Sequence, residues 1–276
     1  MADGIDLDAY FARIGFGGDA KPTLETLGRI HALHAEAIPF ENLSAFIGED
    51  IPLDAASLQK KLVQSGRGGW CFEQNLLLSH VLRALGFELA TLAARVRWNA
   101  PAGALRPRSH MLLRVKVEGR DYIADVGFGG LVLTAPLRLE TGIEQETPHE
   151  RFRLSETAAG TYLLEAQLAD AWQPLYAFDL VEHIQPDYEV SNWYLAHHPQ
   201  SQFLTGVLAA RSEPGARHAL RSGRYALHRR QGTESRPIET VDDYKAILSG
   251  PFRIRLPQGT ELDRKLSKLV DGSRGA

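Results

Sequence analysis

Apolar side chains recur every three or four residues in the first third of the chain, which is the spacing of one face of an α-helix. The pattern predicts a helix behind Asp6 and a second helix from Thr23 to about Glu36. Aspartate and threonine suit these starts because their side chains accept hydrogen bonds from the first free backbone amides. A third helix is expected after Asp54 and before the sequence Gly-Arg-Gly-Gly at 66–69.

The most apolar of the predicted helices begins at or near Cys71. It ends before Gly86, where a left-handed C-terminal cap is expected. Its apolar face is broad and consists of Phe72, Leu76, Leu77, Val81, Leu82 and Leu85. Cys71 is therefore predicted to lie at the amino end of a buried helix.

From about Leu89 the pattern changes from helical to extended. Single strands are predicted at 88–98, 151–156, 161–168, 172–180, 224–230 and 252–256, and residues 110–130 are predicted to form two strands joined by a tight turn at Glu118 and Gly119. Short strands at this spacing are typical of a β-barrel or a strongly curled antiparallel sheet. Two more helices are expected at 241–248 and 261–270. The predicted fold class is therefore α+β, with domain boundaries near residues 87 and 190.

Composition excludes several classes of function. The chain has 276 residues, of which 44% are hydrophobic and 24% charged, as in an ordinary soluble globular protein. A net charge of −3 provides no field that would gather nucleic acid, and no apolar stretch approaches the length of a membrane span. A cluster of five arginines is expected to be a solvated surface, although it offers charge to a phosphate-bearing ligand. It consists of Arg217, Arg221, Arg224, Arg229 and Arg230.

The single cysteine excludes an internal disulfide, and the amino terminus has neither a basic start nor an apolar core of a signal peptide. A cytoplasmic location is therefore expected. The histidines do not follow a metal-ligand spacing, so no metal site is predicted. His31 and His34 are interpreted as structural side chains of a helix.

The sequence SGRGGWCFEQN, at 65–75, places Cys71 behind two glycines and at the start of a helix. We expect the glycines to give the backbone conformations that a side chain would forbid. Helix amides and the nearby Arg67 favour a negative charge on the sulfur, so the pattern indicates a nucleophilic thiolate. A packed cysteine without chemistry is the competing interpretation, because such cysteines are common.

The predicted hairpin supplies a base and a carboxylate. If residues 118–119 form its loop, Leu112 falls opposite Asp125 and His110 falls opposite Gly127. His110 and Asp125 are then diagonal neighbours on one face, about 7 to 8 Å apart between backbone positions. A register slip of one residue would place them on opposite faces, so the inference depends on the turn.

Taken together, these motifs resemble the arylamine N-acetyltransferases. The resemblance rests on RGGWCFEQN, a downstream histidine, ADVGFGG at 124–130, IPFENL at 38–43 and SNWYLAHHPQSQFLTG at 191–206. It spans most of the chain. It implies an N-terminal helical domain (1–87), a central antiparallel β-barrel domain (88–190) and a C-terminal α/β lid domain (191–276), arranged around a thiol-protease-like Cys-His-Asp core.

The resemblance also implies an activity. Cys71, His110 and Asp125 would form the catalytic triad, and Cys71 would carry an acetyl group in a ping-pong reaction. The donor would be acetyl-coenzyme A, and the acceptor an arylamine, arylhydrazine or related weakly basic amine, with no permanently bound cofactor. The acceptor pocket would be lined by Phe40, Phe128 and Phe203.

Two further contacts are expected around this core. The sequence GFGG lacks the Lys-Ser/Thr ending of a nucleoside-triphosphate loop. We expect it to allow the pantetheine or pyrophosphate of coenzyme A to approach the backbone. This sequence consists of Gly127, Phe128, Gly129 and Gly130. Glu41 is expected to pair with Arg67 and hold the cysteine loop in place.

Two other functions fit the same residues. A cysteine hydrolase or amidase would share the acyl-enzyme and differ only in the second nucleophile, water in place of an amine. A non-catalytic module that binds coenzyme A or a small aromatic molecule would leave Cys71 merely packed. No nucleic acid or membrane partner is expected, and the oligomeric state is left open.

Overall fold

The computed structural model describes residues 4–101, 103–158 and 160–274. Its helices are α1 (Leu7–Ile14), α2 (Leu24–Ala37), α3 (Leu43–Ile47), α4 (Ala55–Leu58), α5 (Cys71–Ala84), α6 (Gln185–His197), α7 (Gln202–Thr205), α8 (Val241–Ser249) and α9 (Glu261–Arg274). Its strands are β1 (Phe40–Glu41), β2 (Glu88–Val96), β3 (Arg108–Val117), β4 (Arg120–Ala124), β5 (Leu137–Arg138), β6 (Glu144–Glu146), β7 (Arg151–Ala158), β8 (Thr161–Leu168), β9 (Ala171–Glu182), β10 (Ala209–Glu213), β11 (Ala216–Arg221), β12 (Arg224–Arg229) and β13 (Gly232–Pro237). Helices combined with antiparallel sheets confirm the predicted mixed fold. None of the helices in these ranges is long and apolar enough to cross a membrane.

The predicted caps start the N-terminal helices. Asp6 accepts from the Ala9 amide at 3.0 Å and Thr23 accepts from the Thr26 amide at 3.2 Å. Asp54 also caps a helix, but α4 is regular only to Leu58. It continues as a π-helical segment, Gln59–Gln64, that leads into the cysteine loop.

Eight antiparallel strands form a nearly closed barrel in the order β5-β4-β3-β2-β9-β8-β7-β6. The two edge strands are joined by a side chain: Gln145 of β6 donates to the Arg138 carbonyl of β5 at 3.0 Å and accepts from the Arg138 amide at 2.7 Å. The barrel interior holds a core that includes Leu92, Leu112 and Phe152. Side chains on the outer face of β3 and β4 pack against the N-terminal helices.

The predicted hairpin register is confirmed. Glu118 and Gly119 both have positive φ, 51° and 75°, as a type I′ turn requires, and Val117 pairs with Arg120. The ladder continues to Leu113 and Ala124. Beyond this pair the chain leaves the ladder, so the predicted pairings of Leu112 with Asp125 and of His110 with Gly127 are wrong.

A second, five-stranded sheet has the order β1-β10-β11-β12-β13. Its first strand comes from the IPFENL sequence, so residues 40–41 join the N-terminal helices to the C-terminal sheet. A third core packs this sheet against α3, α8 and α9, with Leu248, Phe252 and Leu266 fully buried. The division into three domains near residues 87 and 190 stays a prediction.

The strand predicted at 252–256 is wrong. Phe252 and Ile254 are buried while Arg253 and Arg255 are exposed, so the alternation is real. The backbone amides nevertheless bond to helix-end and loop carbonyls, such as Ile254 to Leu248 at 3.0 Å and Arg255 to Gly66 at 3.0 Å. An extended segment that packs at one edge of a helical core has the same sequence period as a strand.

The expectation for the basic cluster is wrong at Arg217. Its guanidinium is buried and pairs with Glu150, with Nε 2.9 Å from Oε1, and it also donates to the Val132 carbonyl at 2.9 Å. The other four arginines of the cluster are exposed, as expected. Arg217 therefore joins the barrel to the second sheet rather than facing solvent.

Candidate active site

The glycines before Cys71 permit close packing of two chain segments. A Cβ on Gly68 would lie 2.1 Å from the Pro39 carbonyl oxygen, and a Cβ on Gly69 would lie 2.6 Å from a Glu73 carboxylate oxygen. Neither glycine has a positive φ. The expectation that they supply unusual backbone conformations is therefore wrong. A side chain is excluded at Gly68 by the Pro39 segment and at Gly69 by the Glu73 side chain. Gly69 donates to the Pro39 carbonyl at 3.2 Å.

A buried ion pair fixes the same loop, as predicted. Arg67 Nε donates to Glu41 Oε1 at 2.9 Å, and Glu41 Oε2 accepts from the Leu43 amide at 2.6 Å. Arg67 also donates to the Ser44 hydroxyl at 3.3 Å. Glu41 is 1% exposed, so its charge is compensated by these partners and not by water.

We expect Glu41→Gln to destabilise the protein by about 3 kcal/mol, because it leaves the buried Arg67 charge without a counterion. The loop that carries Cys71 would also lose an anchor, so any reaction that depends on Cys71 should slow. Urea unfolding measures the first effect and a steady-state assay the second. The matched control is Glu118→Gln, which removes an exposed carboxylate. Unchanged stability and activity in the Glu41 variant would contradict an anchoring role.

Cys71 occupies the first position of α5 and is 7% exposed. Glu73 accepts from the Trp70 amide at 3.1 Å, which closes the start of the helix, and it pairs with Lys61 at 2.6 Å. The Cys71 sulfur lies 3.7 Å from the Ser109 carbonyl oxygen, its hydrogen-bond acceptor. The thiol is thus held where α5 meets β3.

His110 lies between Cys71 and Asp125. Its Nε2 is 2.7 Å from Asp125 Oδ2, and the ring also hydrogen-bonds to Cys71, which leaves Nδ1 as the nitrogen for the sulfur. Burial opposes a positive charge on the ring. The negative charge and hydrogen bond of Asp125, together with Cys71, nevertheless raise the pKa of His110 to about 10. The imidazolium form is therefore favoured at neutral pH.

Asp125 is completely buried, and three donors surround its carboxylate. Besides His110 these are the Asn75 side chain and the Gly127 amide, both 2.9 Å from Oδ1. Burial alone would raise the pKa of Asp125, but the charge of His110 and these hydrogen bonds hold the pKa below its ordinary value. The carboxylate is thus ionised and fixed in orientation.

Asn75 is a part of the site that sequence reasoning missed. Its Nδ2 donates to the Met111 carbonyl at 2.7 Å as well as to Asp125, and its Oδ1 accepts from the Val126 amide at 3.0 Å. A signal was present in the sequence, since Asn75 follows Cys71 by four residues and shares its helix face. Asn75 therefore locks α5 to the end of the hairpin.

His31 was also missed as a neighbour of the site. Its Nε2 accepts from the Asp125 backbone amide at 3.1 Å. Burial lowers the pKa of His31 to about 4, so the ring is neutral and can accept this hydrogen bond. His34 bonds to Tyr10 and Gln74, at 2.8 and 2.7 Å. The interpretation of both histidines as structural is confirmed, and residues 4–101, 103–158 and 160–274 contain no group of side chains fit to hold a metal.

The three predicted phenylalanines are each half-buried. The Phe128 ring packs edge-on against His110 at 5.1 Å between centroids. Phe203 packs against Trp70 at 5.2 Å and lies 6.4 Å from Phe40. Phe128 thus contacts the histidine, and Phe203 contacts Trp70, the residue before Cys71.

The GFGG sequence forms a turn directly beside the thiol. A Cβ on Gly127 would lie 2.6 Å from the Cys71 Cα and 2.8 Å from Asn75 Nδ2. Gly129 has a φ of 84°, in the left-handed region, and faces the Phe40 ring. Gly130 has open space where a side chain would begin. Glycine is therefore required at position 127 by the close contact with Cys71 and at position 129 by the positive φ.

This arrangement has the parts of a covalent catalyst. A cysteine sulfur, an imidazolium and an ionised carboxylate lie in sequence, and each is held by partners on different elements. A thiolate next to a charged histidine is a strong nucleophile, and the same histidine can return a proton to a leaving group. Acyl transfer and acyl hydrolysis both use this chemistry.

Comparison with known proteins favours acyl transfer over acyl hydrolysis. The N-acetyltransferase family model matches residues 23–260. The arylamine N-acetyltransferase of Mycobacterium tuberculosis is 41% identical over 281 residues, which cover 99% of this chain and 98% of the relative. The Salmonella typhimurium arylamine N-acetyltransferase / N-hydroxyarylamine O-acetyltransferase is 44% identical over 89% of this chain and 88% of its own. The structure of the Mycobacterium marinum arylamine N-acetyltransferase in complex with CoA superposes with a TM-score of 0.92 at 38% identity, covering 96% of this chain and 99% of the other.

Proposed function

The chain belongs to the arylamine N-acetyltransferase family, and we propose that it moves the acetyl group of acetyl-coenzyme A to arylamines, arylhydrazines or related weakly basic amines. The observation that carries this proposal is the Cys71, His110 and Asp125 arrangement within a chain of that family. The coenzyme A complex of the Mycobacterium marinum relative supports the choice of donor.

The first half-reaction acetylates the enzyme. The Cys71 thiolate, paired with protonated His110, attacks the carbonyl carbon of the thioester and forms a tetrahedral intermediate. The bond from carbon to the coenzyme A sulfur then breaks, and His110 supplies the proton that gives free coenzyme A. One thioester replaces another, so the free energies of the two states are similar. Asp125 keeps His110 oriented and compensates its charge throughout.

The second half-reaction discharges the enzyme. The nitrogen of the amine attacks the carbonyl carbon of acetyl-Cys71, and the carbon–sulfur bond breaks. Neutral His110 takes a proton from the nitrogen and the sulfur departs as a thiolate, which restores the starting ion pair. Weakly basic aromatic amines are uncharged at neutral pH, so they arrive as nucleophiles. Phe40, Phe128 and Phe203 would provide the apolar walls of the acceptor pocket.

Backbone amides are the expected donors to the tetrahedral oxyanion. The amides at the end of the hairpin are already engaged, Val126 by Asn75 and Gly127 by Asp125. We therefore assign this role to amides in the first turn of α5, beside the sulfur. The GFGG turn is assigned to the approach of the coenzyme A pantetheine or pyrophosphate.

The test is to mix the protein with acetyl-coenzyme A alone and to follow its intact mass. We expect the native chain to gain one acetyl group, with release of one coenzyme A, and Cys71→Ser to gain none. An added arylamine should then remove the acetyl group and appear as its amide. No adduct would contradict the donor assignment, and loss of the adduct to water at the same rate without amine would favour the hydrolase alternative.

A further inference from the structure

Three arginines from two distant parts of the sequence meet around a cavity on the side of α1. Arg13 comes from the last turn of α1, and Arg253 and Arg255 come from the extended segment after α8. The cavity has a volume of about 260 Å³, against about 30 Å³ for one water in the liquid, so a polyatomic ligand fits. The other lining residues are Val63, Gln64 and Gly66.

The residues that line this cavity supply no negative charge to its three arginines. Its described lining contains no aspartate or glutamate, although the chain has 34 acidic residues for 31 basic ones. Arg13 Nε donates to the Leu62 carbonyl at 3.1 Å, but its NH2 nitrogen is buried and has no hydrogen-bond partner. Burial, with the charges of Arg255 and Arg253, lowers the pKa of Arg13. Three like charges thus lie around one cavity whose described lining supplies no counter-charge.

The backbone at Arg253 supports the same conclusion. Its φ is 55°, in the left-handed region that glycine adopts without strain and that is uncommon for arginine. Arg255 is held in place by its amide, which donates to the Gly66 carbonyl at 3.0 Å. The segment is thus fixed with two exposed cations beside a third, Arg13, that is half-buried.

We propose that this cavity is a binding site for a small anion that carries one or more phosphate groups, separate from the Cys71 site. Guanidinium groups match phosphate oxygens in geometry and can donate two hydrogen bonds each. Three of them, one from α1 and two from the segment after α8, suit a multiply charged phosphate better than a singly charged carboxylate. The acyl-transfer residues contribute nothing to the lining.

The test is calorimetric titration of the whole chain with pyrophosphate and, separately, with 3′,5′-ADP, in buffers without phosphate and at constant ionic strength. We expect the native protein to bind each probe at this cavity, apart from any binding at the GFGG turn, and binding at the cavity to be at least about tenfold weaker, or about 1.4 kcal/mol, in Arg253→Gly and in Arg255→Ser. The matched control is Arg120→Ser, which removes an exposed arginine from the hairpin turn and should bind as the native chain does. Arginine-dependent binding of pyrophosphate alone identifies a free polyphosphate as ligand, and arginine-dependent binding of both identifies a nucleotide.

Arg253→Gly separates lost binding from lost folding. It removes one of three repelling charges and relieves a strained φ, so we expect its unfolding temperature without ligand to equal or exceed that of the native chain. Pyrophosphate should raise the unfolding temperature of the native chain and not that of the variant. Binding that is absent in the native protein, or equal in all variants, would overturn the proposal. The intact-mass reaction with acetyl-coenzyme A is a separate readout, and Arg253→Gly should leave it unchanged.

Discussion

Replacing Asp125 by asparagine is expected to slow acetylation of Cys71 by about 10³- to 10⁴-fold, a loss typical of removing the carboxylate from such a triad. The amide retains an oxygen for the donors Asn75 and Gly127, so the position of the side chain is preserved. It lacks the negative charge that keeps His110 protonated. Burial, which opposes that charge, then dominates. The Cys71 thiolate loses its charged partner as a result.

Two measurements check this prediction. Quenched-flow mass spectrometry gives the rate at which acetyl-coenzyme A acetylates the enzyme, and alkylation by iodoacetamide at pH 6 reports the reactivity of Cys71 without any donor. Both rates should fall in Asp125→Asn and neither in Asp121→Asn, which changes an exposed carboxylate on β4, the strand that Asp125 follows. A folded Asp125→Asn protein that acetylates at the native rate would refute the triad assignment.

The same variant should change how stability depends on pH. The pKa of His110 is raised from 6.5 to about 10, so its contribution to stability is complete below pH 6.5 and is lost as the pH rises through 10. The pKa of Asp125 is lowered from 3.8, so its contribution is present above pH 3.8 and is lost in more acidic solution. The unfolding free energy of the native chain should therefore exceed that of Asp125→Asn most clearly between pH 3.8 and pH 6.5. The difference should shrink as the pH rises towards 10. Urea unfolding at several pH values measures it.

Local chemistry explains why much of the fold was predictable. Asp6 and Thr23 cap helices through hydrogen bonds that span three residues, so the sequence contains both partners of each interaction. The hairpin is equally local, since Glu118 and Gly119 alone set its register. That register placed His110 and Asp125 on one face before any long-range contact was known.

Long-range contacts account for what the sequence did not reveal. Residues 252–256 alternate like a strand, yet their partner is a loop carbonyl at Gly66, far away in the chain. Arg217 lies among exposed arginines in sequence and is buried because Glu150 faces it from another sheet. Conversely, Arg13 meets two arginines more than 200 residues later, and composition gives no sign of it.

Gly127→Ala is expected to slow acetylation by about 100-fold and to lower stability by about 1 to 3 kcal/mol. The added Cβ would lie 2.6 Å from the Cys71 Cα and 2.8 Å from Asn75 Nδ2, closer than atoms pack. Either α5 or the end of the hairpin must then move by a substantial fraction of an ångström. Since Cys71 starts one element and Asp125 ends the other, the sulfur moves relative to the imidazole.

Gly130→Ala is the matched control, because it adds the same methyl group to the same turn in open space and at a φ that is not positive. It should leave the acetylation rate and stability unchanged if the turn serves only to bring α5 close to the hairpin. If the GFGG backbone also contacts coenzyme A, Gly130→Ala should instead raise KM for acetyl-coenzyme A with little change in kcat. Equal, near-native behaviour of both variants would show that the close approach at Gly127 has no bearing on the reaction. The pair of substitutions thus distinguishes a glycine needed to join the two halves of the triad from one needed to admit the donor.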